Sequence, residues 1–319
     1  MGFASTVLIL LWMAGACPNG IAVGERIGQA DELLRSGAYR EALVEFSQAL
    51  ECLETAKPTG LLVAVLNNLA GIHADLGNYR DSERLYLRAL RIWDHFNVAE
   101  RPSRPGIQLN LLVVYIQAGW LRKAQRLADE IGHDLATAGP QQRLRFLVCL
   151  GNLRMAQKRL GESTEYYRQA LELAETSGLE GAPGFLWNSI GAVRMEQGKM
   201  TEAVNSFERA VTAHERAGKS EHPDLIAALT NLGAAYLAEG HVKQAQTVLA
   251  RARSLVERSF GVSHPALYQI LMLEARVFDR LNRKAEAKQS RRRAQTISRN
   301  KGARDPSAFV VDIEDLRRR

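Results

Sequence analysis

At 319 residues, with 46% hydrophobic and 7% aromatic side chains, the chain can bury a substantial core, which excludes global disorder. It is longer than one typical compact domain, so it reads as two globular domains or one long repeat array. The net charge of +7 is uneven: Arg276 to Arg319 holds 14 Lys/Arg against 6 Asp/Glu, so basic character belongs to the C-terminal end and not to the rest.

Residues 1–24 carry no charged side chain, and Phe3 to Ala16 is an apolar run of 14 residues. The run ends in Ala14-Gly15-Ala16, a small-x-small site, before Cys17-Pro18. This resembles a secretory signal peptide, and it is too short to span a bilayer comfortably. We set the leader at residues 1–23 and expect cleavage near Ala16, giving an exported mature chain with no membrane span. No Lys or Arg precedes the apolar run, so the alternative is an irregular N-terminus on a cytoplasmic protein. The other cysteines, Cys52 and Cys149, lie far apart on helical stretches. They read as small buried hydrophobes, not as a disulfide framework or a metal pattern.

A repeat follows the leader. Turn residues recur at Gly37, Gly77, Gly119, Lys158, Gly198, Gly240 and Asn282, in steps of 40, 42, 39, 40, 42 and 42. Gly and Asn tolerate the left-handed conformation that ends many helices. Five residues after each turn stands a small side chain: Ala42, Ser82, Ala124, Ser163, Ala203, Ala245, Ala287. Four further on come Phe46, Tyr86, Ala128, Tyr167, Phe207, Leu249 and Arg291, and three beyond those Ala49, Ala89, Ile131, Ala170, Ala210, Ala252 and Ala294. Spacings of four and three keep these positions on one helix face. Seven residues before each turn stand Ala30, Ala70, Leu112, Gly151, Gly191, Gly233 and Ala275, again mostly small. Each unit is therefore helix, tight turn, helix, with small residues where the two helices cross. Pro58, Pro102, Pro105, Pro140, Pro183, Pro223 and Pro265 all fall between these hairpins. Proline costs about 3 kcal/mol inside a helix, so their placement supports the boundaries independently.

A period near 40 also suits other helical repeats, and the residue pattern decides between them. Trp187-x-x-Ile190-Gly191 is followed by Ala203-x-x-x-Phe207-x-x-Ala210. Leu229-x-x-Leu232-Gly233-x-x-Tyr236 is followed by Ala245-x-x-x-Leu249-x-x-Ala252. These resemble the tetratricopeptide signature in its longer form of about 42 residues, similar to the repeats of kinesin light chains. His222-Pro223 and His264-Pro265, also 42 apart, open first helices in that style. The resemblance implies an all-α, right-handed superhelical solenoid of about seven helix-turn-helix hairpins over residues 24–300. The repeats lie near 24–57, 58–101, 102–139, 140–180, 181–220, 221–262 and 263–300, and a basic tail occupies 301–319. The pattern is weakest in the third repeat, at Ala128 and Ile131, and in the two end repeats.

Stacked hairpins curve around a groove lined by first helices. Asn68, Asn110 and Asn231 stand two residues before the small crossing position, and Asn67, Asn152 and Asn188 stand close by. An amide donates and accepts, so it can pair with a peptide backbone of any sequence. In the resembled family asparagines of this region contact the ligand; alternatively, some cap or cross-link adjacent first helices. The expected partner is a protein or peptide, and the oligomeric state stays open. A clamp for a terminal carboxylate needs Lys and Arg on successive first helices, and here Arg145 and Arg276 are isolated.

Chemistry is sparse. The seven histidines include no His-Glu-x-x-His. His222 and His264 are explained by the repeat, not by zinc. There is no phosphate loop and no Gly-x-Ser-x-Gly elbow, so we expect no enzyme, no cofactor and no metal. Arg291, Arg292 and Arg293 are the candidates for a polyanion, although no aromatic is interleaved with them, which disfavours nucleic acid. The stretch Ser307 to Leu316, apolar with partial alternation, is a candidate for docking on the last hairpin or in the groove of the same chain; the alternative is a free tail.

Overall fold

The computed structural model describes residues 22–35, 38–54, 60–95, 103–136, 138–179, 182–218 and 222–299. The leader, Gly37 and the tail thus lie outside the described residues, apart from the leader's last two positions. Among the described residues the chain is all-α, with fourteen helices that pair into seven hairpins. They belong to two units, residues 1–137 and 138–319.

The first unit holds α1 (Val23–Arg35), α2 (Tyr39–Glu54), α3 (Gly60–Asp75), α4 (Tyr79–His95), α5 (Arg104–Gln117) and α6 (Leu121–Ala136). The second holds α7 (Pro140–Ala156), α8 (Leu160–Thr176), α9 (Ala182–Glu196), α10 (Met200–Arg216), α11 (Pro223–Glu239), α12 (Val242–Phe260), α13 (Leu267–Arg280) and α14 (Lys284–Arg299).

The turns explain why the helices pair. Gly77, Gly119, Lys158, Gly198, Gly240 and Asn282 all have positive φ, between 57° and 86°. Each reverses the chain at a helix end, and the residue after it does double duty. Its N–H donates back to the carbonyl five residues earlier, as in His241 to Tyr236 at 2.8 Å. Its carbonyl accepts from the small residue four positions ahead, as in Ala245 to His241 at 3.0 Å. The same pair of bonds recurs at Asn78, Trp120, Arg159, Lys199 and Arg283. One residue thus closes the first helix and opens the second.

Packing follows from side-chain size. Ala203, Phe207 and Ala210 are all fully buried, and the ring of Phe207 lies on Gly191 of the paired helix. A Cβ at Gly191 would come within 2.6 Å of that ring. Gly151 stands in the same relation to Tyr167 at 2.6 Å, and Gly233 to Leu249 at 2.5 Å. Where the small residue of the second helix is serine, its hydroxyl donates to the carbonyl of the crossing residue. Ser82 reaches Ala70 at 2.7 Å and Ser163 reaches Gly151 at 2.8 Å. The third hairpin reverses the sizes: Leu112 on the first helix and Ala128 on the second are both buried, with Ile131 beside them. Within each unit, a second helix packs on the next first helix, as α4 on α5 and α10 on α11. First helices also meet one another directly: α3 with α5, α9 with α11, and α11 with α13.

Candidate partner-binding face

The six candidate asparagines separate into three groups. In the first unit, Asn110 of α5 donates Nδ2 to Oδ1 of Asn67 in α3 at 3.0 Å. Asn67 in turn donates to Oδ1 of Asn68 at 3.3 Å. All three are half-buried. In the second unit, Asn231 of α11 donates to Oδ1 of Asn188 in α9, again at 3.0 Å. Here both partners are buried, Asn231 at 0% and Asn188 at 5% exposure, so neither is open to a ligand. Asn152 accepts from the Tyr167 hydroxyl at 2.5 Å and so belongs to the packing of its own hairpin. Of the two roles open to these residues in the sequence, cross-linking of adjacent first helices is the one seen at 67–110 and 188–231.

Asn68 differs from the others. It is half-buried, and its Oδ1 is held by Asn67. Its two N–H donors reach no protein acceptor among the described residues. A partly exposed amide held through its oxygen, with donors that no described residue takes up, is suited to a carbonyl of an incoming chain.

The Arg triplet is divided. Arg291 of α14 pairs with Asp279 of α13. Arg293 pairs with Glu257 of α12 at 2.6 Å and donates to the carbonyl of Val262 at 3.0 Å. Glu257 also faces Arg253, which holds the buried Glu274 at 2.9 Å. Burial holds the Glu274 carboxyl above its usual range, with Arg253 opposing that shift. Two of the three arginines therefore staple the last hairpin, and Arg292 is the exposed one.

His222 and His264 share one task. Each accepts a backbone N–H two residues on at Nδ1, from Asp224 and from Ala266, both at 3.3 Å. They cap the turns that open α11 and α13. Among the described residues no cluster of three or more His, Cys, Asp or Glu is placed to hold a metal, and no helix is long and apolar enough to cross a membrane. Cys149 is a buried free thiol, pushed up to about 12 by burial. Cys52 is not the inert buried thiol expected from the sequence: it is half-buried and disulfide-bonded.

The sequence reading also passed over a ladder of ion pairs. Arg154 bonds Glu162 and Arg194 bonds Glu202, each at 3.1 Å and one 40-residue repeat apart. Lys158 reaches across to Glu196 of the next hairpin at 2.7 Å. The shared register of Arg154 with Arg194, and of Glu162 with Glu202, was the available signal.

Residues 62–93, 144–177 and 185–254 match models of the tetratricopeptide repeat. The chain is 24% identical over 248 residues to Protein KINESIN LIGHT CHAIN-RELATED 3 of Arabidopsis thaliana, covering 74% of this chain and 37% of that one. It is 25% identical over 244 residues to KINESIN LIGHT CHAIN-RELATED 2 of the same plant, covering 72% of this chain and 34% of that one. The chain thus spans little more than a third of these curated relatives. Among solved structures, a Rap protein complexed with Competence and Sporulation Factor superposes with TM-score 0.63 at 16% identity, over 87% of this chain and 74% of that one. Aspartyl phosphate phosphatase F of Bacillus subtilis superposes with TM-score 0.61 at 13% identity, over 91% and 72%. At such identities the likeness is one of fold. Joined to the turn and packing geometry, these matches make the chain a tetratricopeptide-repeat protein with long repeats of the kinesin-light-chain kind.

Proposed function

We propose that this protein is a non-catalytic scaffold that captures an extended segment or a helix of a partner protein on its first-helix face, at Asn68 with Asn67 and Asn110. Tetratricopeptide-repeat proteins are protein-interaction modules, and their arrays are generally not catalytic. The observation that carries the site is Asn68: a half-exposed amide, fixed through one atom, with both N–H donors turned to no protein acceptor among the described residues. The Rap protein of similar fold, solved with Competence and Sporulation Factor, supports capture as a use of this architecture. Partner choice belongs to side chains and not to the fold. The uncharged leader over residues 1–23, with its small-x-small site Ala14-Gly15-Ala16, supports an exported scaffold. A nucleic-acid role for the basic end loses two of its three candidate arginines to internal ion pairs.

The test is affinity capture from the native host, with mapping of the bound segment. Wild type and Asn67→Ala/Asn68→Ala/Asn110→Ala are compared after both show the same helical content and melting. Loss of the captured partner in the triple variant is expected. Undiminished capture by a folded triple variant overturns the site and leaves a purely structural spacer as the better reading.

A further inference from the structure

We propose that the captured segment is cationic and sets a Lys or Arg side chain against Asp75, the last residue of α3; this rests on the capture site at Asn68.

Along the open side of α3 stand Ala64, Asn67, Asn68, Gly71, Ala74 and Asp75, all half-buried. Asn68 and Asp75 are seven residues apart, so they lie about 20° apart around the helix axis and about 10 Å apart along it. Gly71 and Ala74, between them, leave the helix surface low. An extended chain advances about 3.3 Å per residue. A segment lying along α3 with one carbonyl on Asn68 therefore passes Asp75 about three residues later.

Charge selects the residue that arrives there. Asp75 is the one Asp, Glu, Lys or Arg of α3, and α5 carries only Arg104, which pairs with Asp94 at 3.0 Å. Other half-buried carboxylates of this unit each hold a cation: Glu45 holds Arg26, Asp81 holds Arg84 and Glu83 holds Lys123. Asp75 has no hydrogen bond or ion pair among the described residues. Burial alone acts on its carboxyl and holds it above the usual range, whereas at Glu274 a neighbouring Arg253 opposes that shift. A partly desolvated carboxylate without a donor gains most from a charged one. A single carboxylate offers too few oxygens to hold a metal ion. A free amine would leave the Asn68 donors without a carbonyl.

The experiment presents the full chain with random heptapeptides, acetylated and amidated at their ends, and sequences those that bind. Wild type should enrich Lys or Arg at one position. Asp75→Asn, of nearly equal volume, should lose that enrichment and bind the selected peptides about tenfold more weakly. Its urea midpoint should stay or rise, because an unpaired charge is removed; a fall would show the carboxylate paired in the free protein and overturn the proposal. Capture without a Lys or Arg preference, or a preference that survives Asp75→Asn, overturns the cationic segment and leaves the Asn68 site standing. Undiminished capture by Asn68→Ala, or no capture by wild type, overturns that site and the proposal with it. Spermidine that displaces the selected peptides as well as they displace one another would make the ligand a polyamine, which also overturns the proposal.

Discussion

The third and fifth hairpins solve one packing problem with opposite side chains. In the fifth, Gly191 on the first helix receives the ring of Phe207 from the second. In the third, Leu112 on the first helix faces the register that holds Ala128 on the second. What these two hairpins share is the summed volume at the crossing, not the residue at either position. A consensus pattern therefore looks broken in the third repeat although its core is as fully buried as in the fifth.

The sharpest way to break this comparison is Gly191→Leu. With Phe207 in place there is no room for it, and destabilisation of about 3 kcal/mol is expected, read as a lower urea midpoint. Adding Phe207→Ala rebuilds the arrangement of the third hairpin and should recover a large part of that loss. A double variant no more stable than the single one would show that backbone spacing, and not volume, separates the two hairpins.

The two asparagine pairs extend the contrast. Each bond has the same length of 3.0 Å, but the pair 188–231 is buried while 67–110 is half-buried. Removing one partner of a buried pair strands the other, at about 1–3 kcal/mol, whereas water can replace a half-buried partner. Asn231→Ala should therefore lower the melting temperature clearly and Asn110→Ala only slightly. Equal losses would mean that both amides are equally cut off from solvent.

The smallest effect lies in the turns. Lys158 holds φ 61° where the fifth hairpin has Gly198 at 74°. A left-handed conformation costs a non-glycine residue about 1–2 kcal/mol. Lys158→Gly relieves that cost and forfeits only an exposed ion pair to Glu196. It should raise the urea midpoint slightly; a fall would assign the ion pair more weight than the backbone.

Most of the fold was legible because its determinants are local. Turn residue, small residue and large residue recur at fixed offsets, and even Lys158 was placed by period where its chemistry argued against it. The site was only half legible. The asparagines fall near one register, but their bonds run from 67 to 110 and from 188 to 231, one residue more than the 42-residue step between the turns of those hairpins. That offset depends on how neighbouring first helices slide past each other, which no single repeat encodes. The Arg triplet misled for a related reason. Its acidic partners, Asp279 and Glu257, sit on two other helices.

The residue after each turn, bonded both backward and forward, has a consequence for engineering. Steps between hairpins vary from 39 to 42, yet the hydrogen bonds at each turn are the same. The variation in length between repeats thus falls at the joints and not at the turns inside the hairpins. Grafted loops, epitope tags or fused domains belong at those joints, for instance around Val262, the most exposed large apolar residue among those described at 65%. A single extra residue beside Gly240 would rotate one helix against its mate and spoil the seam.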